Sequence, residues 1–456
     1  MRQSDLPTPT CLATEARIAA GRVLRQKTPR TLHAAWRPAA SGRDVVKLLQ
    51  QSNQGRIAEL LPIRYGRMLQ SPFAFLRGAA SVMAFDLAGT PVSNLRVQAG
   101  GDCHLMNFGE FGTPERNLIF DLNDFDETLA GPWEWDIKRL AASVMVAARS
   151  RHFPERNCLE LVHATVASYR EKMAEYARLS PLQRWYARIN VQDLVDLGRT
   201  RDIRRLRAAE AAQARGQTDE RLLYKATTLV DGKRRIRDNP PLVYHPERGR
   251  RFDAEMRAFF QHYRRTLPDE RKVLLDQYEL VDVTMKVVGV GSVGTRCAVA
   301  LFMANDHEPL FLQFKEARPS VLEPYHGKSP YRHPGQRVVE GQRLMQSSSD
   351  IFLGWARDPG SGVDYYIRQL RDMKGSIRLE SIALPELCDY TGFCAWALAR
   401  AHAKSGNPAA ISGYLGRSNA FDLALGVFAR AYADQTEADY ATLQKAVADN
   451  RIVARL

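Results

Sequence analysis

A chain of 456 residues with 45% hydrophobic and 25% charged side chains can bury a large core and should divide into two or three folding units. No apolar run approaches a membrane span, and the first forty residues lack a continuous apolar segment. Neither a spanning helix nor a secretory leader is therefore expected, and the expected compartment is the cytoplasm. The formal net charge of +14 is compatible with an anionic partner, whether nucleic acid, a membrane surface or a phosphate-rich ligand.

In chain order, residues 1–40 read as a flexible N-terminal arm. From Val45 to Met68 apolar residues recur at helical spacing, as at Val45, Val46, Leu48, Leu49, Leu60 and Leu61. Residues 71–89 read as one mostly buried helix entered at Ser71-Pro72, with Arg77 as its odd polar member, either paired with a carboxylate or snorkelling to solvent. Six cysteines are scattered along the chain without CxxC pairs, which argues against a zinc site or disulfide framework and for a reducing compartment.

The stretch from Gly101 to Asp136, GDCHLMNFGEFGTPERNLIFDLNDFDETLAGPWEWD, organises the rest. Asp102 follows a glycine, His104 and Asn107 come just after, and an apolar strand then delivers Asp121, Asn123, Asp124 and Asp126. Oxygen ligands at this spacing suit Mg²⁺, which shares its ligands with phosphates. The plain alternative is a polar turn whose side chains cap local amides. WDIKRLAASVMVAAR then reads as a helix, with Asp136 in its first turn interacting with free amides and the helix dipole.

Residues 156–230 are charged and helix-prone, 231–252 break into loop, and 252–277 are helical again. The basic runs at 199–207, 233–237 and 248–251 have few interleaved aromatics and read as solvated surface rather than a base-stacking platform. No motif supports nucleic-acid binding, although the charge is compatible with it.

At Val281 the texture becomes β-branched and glycine-punctuated, predicting strands at 283–289, 295–303 and 309–315. Alternation in the third strand puts Leu310, Leu312 and Phe314 on one face and Phe311, Gln313 and Lys315 on the other. A helix follows at 335–347, a short strand at 364–370, and helices at 385–404 and 420–448.

Gly289, Gly291 and Gly294 spell GxGxxG, but a second strand follows instead of the helix that a dinucleotide-binding fold requires. A glycine turn between antiparallel strands, with a lysine on the third strand, is how protein kinases cover and contact nucleotide phosphates. Gly289, Gly291, Ser292, Gly294 and Lys315 are therefore candidate nucleotide-binding residues, with Glu340 on the next helix as the lysine's charge partner. The plain alternative is an ordinary glycine hairpin with a rim lysine and a solvated glutamate.

GDCHLMNF, NDFDET and GPWEWDIKRLA together resemble the catalytic segment of aminoglycoside and choline kinase-like phosphotransferases. That resemblance implies Asp102, with His104 beside it, as the catalytic base, Asn107 and Asp124 as Mg²⁺ ligands, and ATP as donor. The sequence departs from the pattern at Gly100, where the family has His, and at Asn123, where an aliphatic is usual, so Asp121 stands as a rival metal ligand. The order also differs, because the glycine turn and Lys315 follow the catalytic loop. LARAHAKSG at 398–406, similar to the kinase helix that leads into that loop, lies near the C-terminus. Circular permutation reconciles the two orders.

Across residues 30–445 the chain closely resembles the bacterial family catalogued as domain of unknown function 2252, through PIRYGRMLQSPFAFLRGAA, GGDCHLMNFGEFGTPE, FDLNDFDETLAGPWEWDIKRLAAS, KVVGVGSVGTR and FLQFKEA.

The expected fold is α+β, protein-kinase-like and circularly permuted. It comprises a mainly helical lobe (41–275), a small antiparallel β lobe (276–375) and C-terminal helices (376–456) packing on the helical lobe. The expected activity is ATP- and Mg²⁺-dependent phosphoryl transfer to an unknown hydroxyl-bearing acceptor, a small molecule being favoured. The alternatives are a nucleotide-binding regulator without turnover or one that transfers another group such as AMP, a basic nucleic-acid-binding protein, and a metal-dependent hydrolase.

Overall fold

Two short antiparallel ladders carry the acidic stretch. Strand β1 (Arg96–Ala99) pairs with β4 (Leu129–Pro132), and β2 (Phe108–Gly112) pairs with β3 (Leu118–Leu122). Their connections hold Asp102 to Asn107 on one side and Asn123 to Thr128 on the other, so pairing alone brings both polar loops together. All five residues of β3, LIFDL, are buried. The computed structural model describes residues 13–38, 42–198, 201–245, 252–287, 289–370, 373, 375 and 379–455.

The helix Trp133–Ser150 leaves β4 directly and is buried along nearly its whole length, consistent with its Ala- and Val-rich sequence. Around it pack the helices Glu155–Arg178, Leu384–Ser405 and the long Ala420–Ala448. Leu140, Val144, Val162, Tyr169, Leu398 and Phe428 belong to the core they share. Among the described residues, no helix is long and apolar enough to cross a membrane.

The N-terminal segment corrects the expectation of a flexible arm over 1–40, of which residues 1–12, 39 and 40 lie outside the described residues. Thr14–Lys27 form a helix, α1, docked on the helix Pro408–Leu415. A Cβ on Gly21 would lie 2.0 Å from the Ala410 carbonyl oxygen, and one on Gly413 would lie 2.1 Å from that of Ile18. Arg25 Nε also donates to Tyr414 O at 2.8 Å. Contact through bare backbone leaves no apolar stripe for a periodicity argument to find. Two further expectations change in detail. The helix expected over 71–89 divides at Ala79 into Pro72–Gly78 and Ala80–Ala88. Thr227–Val230 and Lys233–Ile236 form a hairpin through Asp231-Gly232, both at positive φ (50° and 76°), where loop was expected from residue 231.

The second body is an antiparallel sheet of β5 (Glu279–Lys286), β6 (Cys297–Met303), β7 (Pro309–Glu316), β8 (Gly354–Arg357) and β9 (Asp364–Gln369), in the order β8-β9-β7-β6-β5. The pair Val243–Tyr244 adds an edge beside β5. Leu310, Leu312 and Phe314 share a core with Phe259 and Tyr263 of a helix on one face. Phe311 packs with Leu223 and Val299 on the other, so the alternation read in the sequence holds. Helix Pro334–Met345 connects the Lys315 strand to the last two strands.

Candidate active site

The catalytic-loop candidate is fixed from behind. Gly101 sits at φ 81°, where a Cβ would lie 2.4 Å from the Glu127 carbonyl oxygen, so only glycine lets the two polar loops touch. Asp136 accepts from the amides of Gly100 (2.7 Å) and Gly101 (2.9 Å), rather than from its own helix as its place in the first turn implied. His402 Nε2 reaches the same carboxylate at 3.0 Å, and Tyr169 hydroxyl lies 2.8 Å from its Nδ1. A carboxylate only accepts, so Nε2 donates to Asp136.

Asp102 is held by Arg139, with Nε at 2.8 Å and Nη2 at 2.5 Å from Oδ1. Burial pushes its carboxyl up to about 7, against the pull of Arg139, and the charges of Glu127 and Asp124 add to the rise. Asn107 Nδ2 donates to the Asp102 carbonyl oxygen at 2.7 Å, so its Oδ1 is the end left for a ligand. His104 is buried, accepts from the Met106 amide through Nδ1 at 3.2 Å, and has Nε2 3.8 Å from Asp102. Burial, with Arg77 and Arg139 adding, holds its imidazole well below its usual value. His104 is therefore a neutral brace for the loop.

At the end of β3 and in the second loop, three aspartates have separate fates. Asp121 is fully buried and accepts from Arg400 Nη2 at 2.8 and 2.9 Å and from the Ser347 amide at 2.9 Å. That pairing corrects its standing as a rival metal ligand, because β3 turns it away from the cavity into the core. Asp124 lines the cavity, with Lys315 Nζ 3.8 Å from Oδ1. Asp126 takes Lys315 Nζ at 2.7 Å, Tyr366 hydroxyl at 2.6 Å and Ser292 Oγ at 3.2 Å. Burial opposes charge on Asp126, but Lys315 and Tyr366 outweigh it and hold the carboxyl below its usual range. Burial opposes charge on Lys315 too, and Asp124 and Asp126 push its ammonium well above the usual value.

Glu340 does not hold Lys315. It pairs with Arg343 at 3.2 Å on its own helix. The helix packs through Arg337, Val338 and Gly341 instead, and Arg337 donates to the carbonyls of Thr128 (2.5 Å), Asp126 (2.7 Å) and Arg318 (2.8 Å). Sequence reasoning missed Asp126 as the lysine's partner, although it counted the residue in the cluster. It also missed Arg139, which follows Asp136 by three positions and so lies on nearly the same helix face.

The glycine turn closes over these loops. Gly289 and Gly294 are at φ 60° and 87°. Arg67 donates to Gly289 O, Arg56 Nη1 to Val293 O at 2.6 Å, and Gly294 O accepts from the Ile57 amide at 2.8 Å. A Cβ on Gly291 would lie 3.3 Å from Arg77 O. Beneath lies a cavity of about 650 Å³ lined by Asp102, Asn107, Asp124, Glu127, Gly291 and Ser292, among others. Lys315 itself stands just behind the lining, covered by Asp126.

A family model matches residues 56–446, from the arginine that clamps the glycine turn to the last long helix. The chain belongs to the DUF2252 family. Its members are described as an uncharacterized protein conserved in bacteria. No curated protein and no solved structure matches. The span shared with DUF2252 contains every residue of the cavity wall named above.

The donor set of this DUF2252 cavity fits a hard cation only in part. Asn107 Oδ1 and the Asp124 carboxylate offer oxygens, but among the described residues no three His, Cys, Asp or Glu side chains converge on one point. A cation here needs further oxygens from phosphate or water, which is the habit of Mg²⁺ rather than of an all-protein metal cage. Of the basic runs, 248–251 and residues 199–200 lie outside the described residues. Arg207 of the first run pairs with Asp389 at 2.5 Å.

Proposed function

We propose that this DUF2252 chain is an ATP- and Mg²⁺-dependent phosphotransferase of permuted kinase-like fold, acting on the hydroxyl of an acceptor, with a small molecule favoured. The observation that carries the reading is the ion pair between Lys315 and Asp126, 189 positions apart in the chain, in the wall of a cavity that also holds Asp102, Asn107 and Asp124. An ordinary rim lysine has no reason to be buried against those loops. The succession of glycine turn, lysine strand, helix and two more strands is also the one that the kinase resemblance implies for a small lobe.

Asn107 and Asp124 would hold Mg²⁺, which when bound neutralises and orients the phosphates. Ser292 and the glycine-turn amides would face the phosphates, and Lys315 would exchange part of its contact with Asp126 for a phosphate oxygen. Arg139 orients Asp102. Asp102 takes the acceptor's hydroxyl proton as that oxygen bonds to the γ-phosphorus and ADP departs. A carboxyl near 7 is poised for that work at neutral pH.

The separation of Glu340 from Lys315 favours a second reading, a nucleotide-binding regulator or a transferase that moves AMP. Thermal-shift titration tests the first step common to both. ATP with Mg²⁺ is expected to raise Tm by mass action, ATP alone far less, and Lys315→Ala to abolish the response. A folded protein that responds to no nucleotide contradicts the proposal.

A further inference from the structure

Phosphoryl transfer leaves half of the cavity unexplained. The wall contributed by residues 51–81 and 316–328 carries five cations: Arg56, Arg64, Arg77, Arg318 and Lys328. Arg56 donates to Ser52 O and Val293 O, and Arg64 to Asn53 Oδ1 and Gly78 O, all neutral oxygens. Arg318 donates to Ser52 O and Gln54 O, while its nearest carboxylate, Glu316 at 4.0 Å, is already paired with Arg296. Arg64 is only 1% exposed, and its Nε has no partner.

Arg77 is the most telling. Its Nε is sealed from water without a partner, and its side chain makes no hydrogen bond or ion pair among the described residues. The charges nearest to it are Asp102, Glu380 and Asp124. Burial, together with the neighbouring guanidiniums, pulls Arg56 down to about 9, and burial pulls Arg64 down to about 10. Clamping the glycine turn accounts for Arg56. It gives no reason to set Arg64 and Arg318 in the same wall with their hydrogen bonds on neutral oxygens, or Arg77 with none among the described residues, while the carboxylates Glu316 and Glu323 of that wall take none of those bonds. Buried charge is costly unless paired, so the site is built to gain from an incoming anion.

We propose that this half of the cavity binds the acceptor through an oxyanion it already carries, a phosphate or carboxylate held by Arg64, Arg77 and Arg318. The inference rests on the phosphotransferase reading and names its substrate class. The nucleotide's phosphates have their own groups in Lys315, Asn107, Asp124 and the glycine turn. Arg77 lines the cavity together with Asp102, whose charge acts on it more than any other. On the phosphotransferase reading Asp102 receives the acceptor's proton, so an anion there belongs to the acceptor.

The test is a thermal-shift titration of protein saturated with Mg²⁺ and a non-hydrolysable ATP analogue, using glycerol 3-phosphate, glycerate and glycerol as probes. At least one of the two anions is expected to raise Tm beyond the nucleotide complex, and glycerol is not. The stronger anion distinguishes a phosphate site from a carboxylate site. Arg77→Gln and Arg318→Gln should each weaken the anion response about tenfold or more, with Arg77→Lys recovering part of it and the nucleotide response retained in all three. Competition between anion and nucleotide, or loss of the nucleotide response in these variants, overturns the proposal by assigning the arginines to the nucleotide. Absence of any anion response in protein that binds nucleotide overturns it alone and leaves the phosphotransferase reading standing. If nucleotide itself gives no shift, that reading falls and the acceptor assignment with it, even where glycerol 3-phosphate still binds.

Discussion

Three aspartates of one acidic stretch, Asp102, Asp121 and Asp124, have different settings. Asp102 keeps its proton to about 7, against an ordinary value of 3.8, because burial outweighs Arg139. In metal-free protein its folded value lies above its unfolded one. Its contribution to stability is therefore present below about pH 4 and lost as the pH rises through 7. Relative to wild type, Asp102→Asn should gain stability between pH 4 and 8, by at most about 4 kcal/mol. Denaturant melts at several pH values would show that divergence; parallel curves would mean the carboxyl is not perturbed. The same variant should retain nucleotide binding and lose about a hundredfold or more in turnover. Asp121→Asn should do the opposite. It leaves the buried Arg400 without its counter-charge, at a cost of about 3–5 kcal/mol, and leaves the Mg²⁺ dependence of nucleotide binding unchanged. A stable Asp121→Asn protein that has lost metal dependence would return Asp121 to the cavity. In the sequence, Asp121 and Asp124 were indistinguishable as ligands. Strand pairing separates them, since β3 buries Asp121 and Asp124 lies beyond its end.

Elements explain why some assignments were legible and others were not. The lysine strand was readable because alternation is rigid, so placing Leu312 in the core forces Lys315 to the opposite face. The helix after it was not, because position on a helix does not fix which face a neighbouring loop will meet. Gly341 and Arg337 hold that helix against residues 126–128, and Glu340 is left at the edge with Arg343. LARAHAKSG was noticed for its resemblance, and its polar residues turn out to support the site from behind. Arg400 binds Asp121, His402 binds Asp136, and Lys404 Nζ donates to Gln346 O at 2.6 Å. From these contacts, Glu340→Gln should leave Mg²⁺–ATP affinity within about twofold of wild type, because its half-buried i,i+3 partner is Arg343 and not Lys315, and such a pair is worth only a few tenths of a kcal/mol. Asp126→Asn should change that affinity by an order of magnitude or more, since Lys315 loses the charge that positions it. Calorimetric titration of both variants decides between Asp126 and Glu340 as the lysine's partner.

Over the whole molecule, the central feature is that segments far apart in sequence close one cavity: residues 51–81, the acidic stretch, the glycine turn and the segment after Lys315. The acidic stretch and the glycine turn were each legible because their chemistry is local. Their meeting was legible only through a resemblance that required reordering the chain, and of the basic wall only Arg77 stood out in the sequence, as the odd polar member of a buried helix. Arg56, Arg64, Arg77 and Arg318 fall in four separate helical or loop segments, and only the fold gathers them. The same limit applies to the N-terminal helix, whose docking depends on Gly21 and Gly413 rather than on an apolar stripe.

The measurement that bears most directly on the central claim is a crystal structure with Mg²⁺ and a non-hydrolysable ATP analogue. The predicted result is a cation about 2.0–2.1 Å from Asn107 Oδ1 and an Asp124 oxygen. The phosphates should lie under Gly289–Gly294 within reach of Lys315, and the γ-phosphate should be open to Asp102. A nucleotide bound elsewhere, or one bound here with its phosphates turned away from Lys315 and Asp124, would contradict the account.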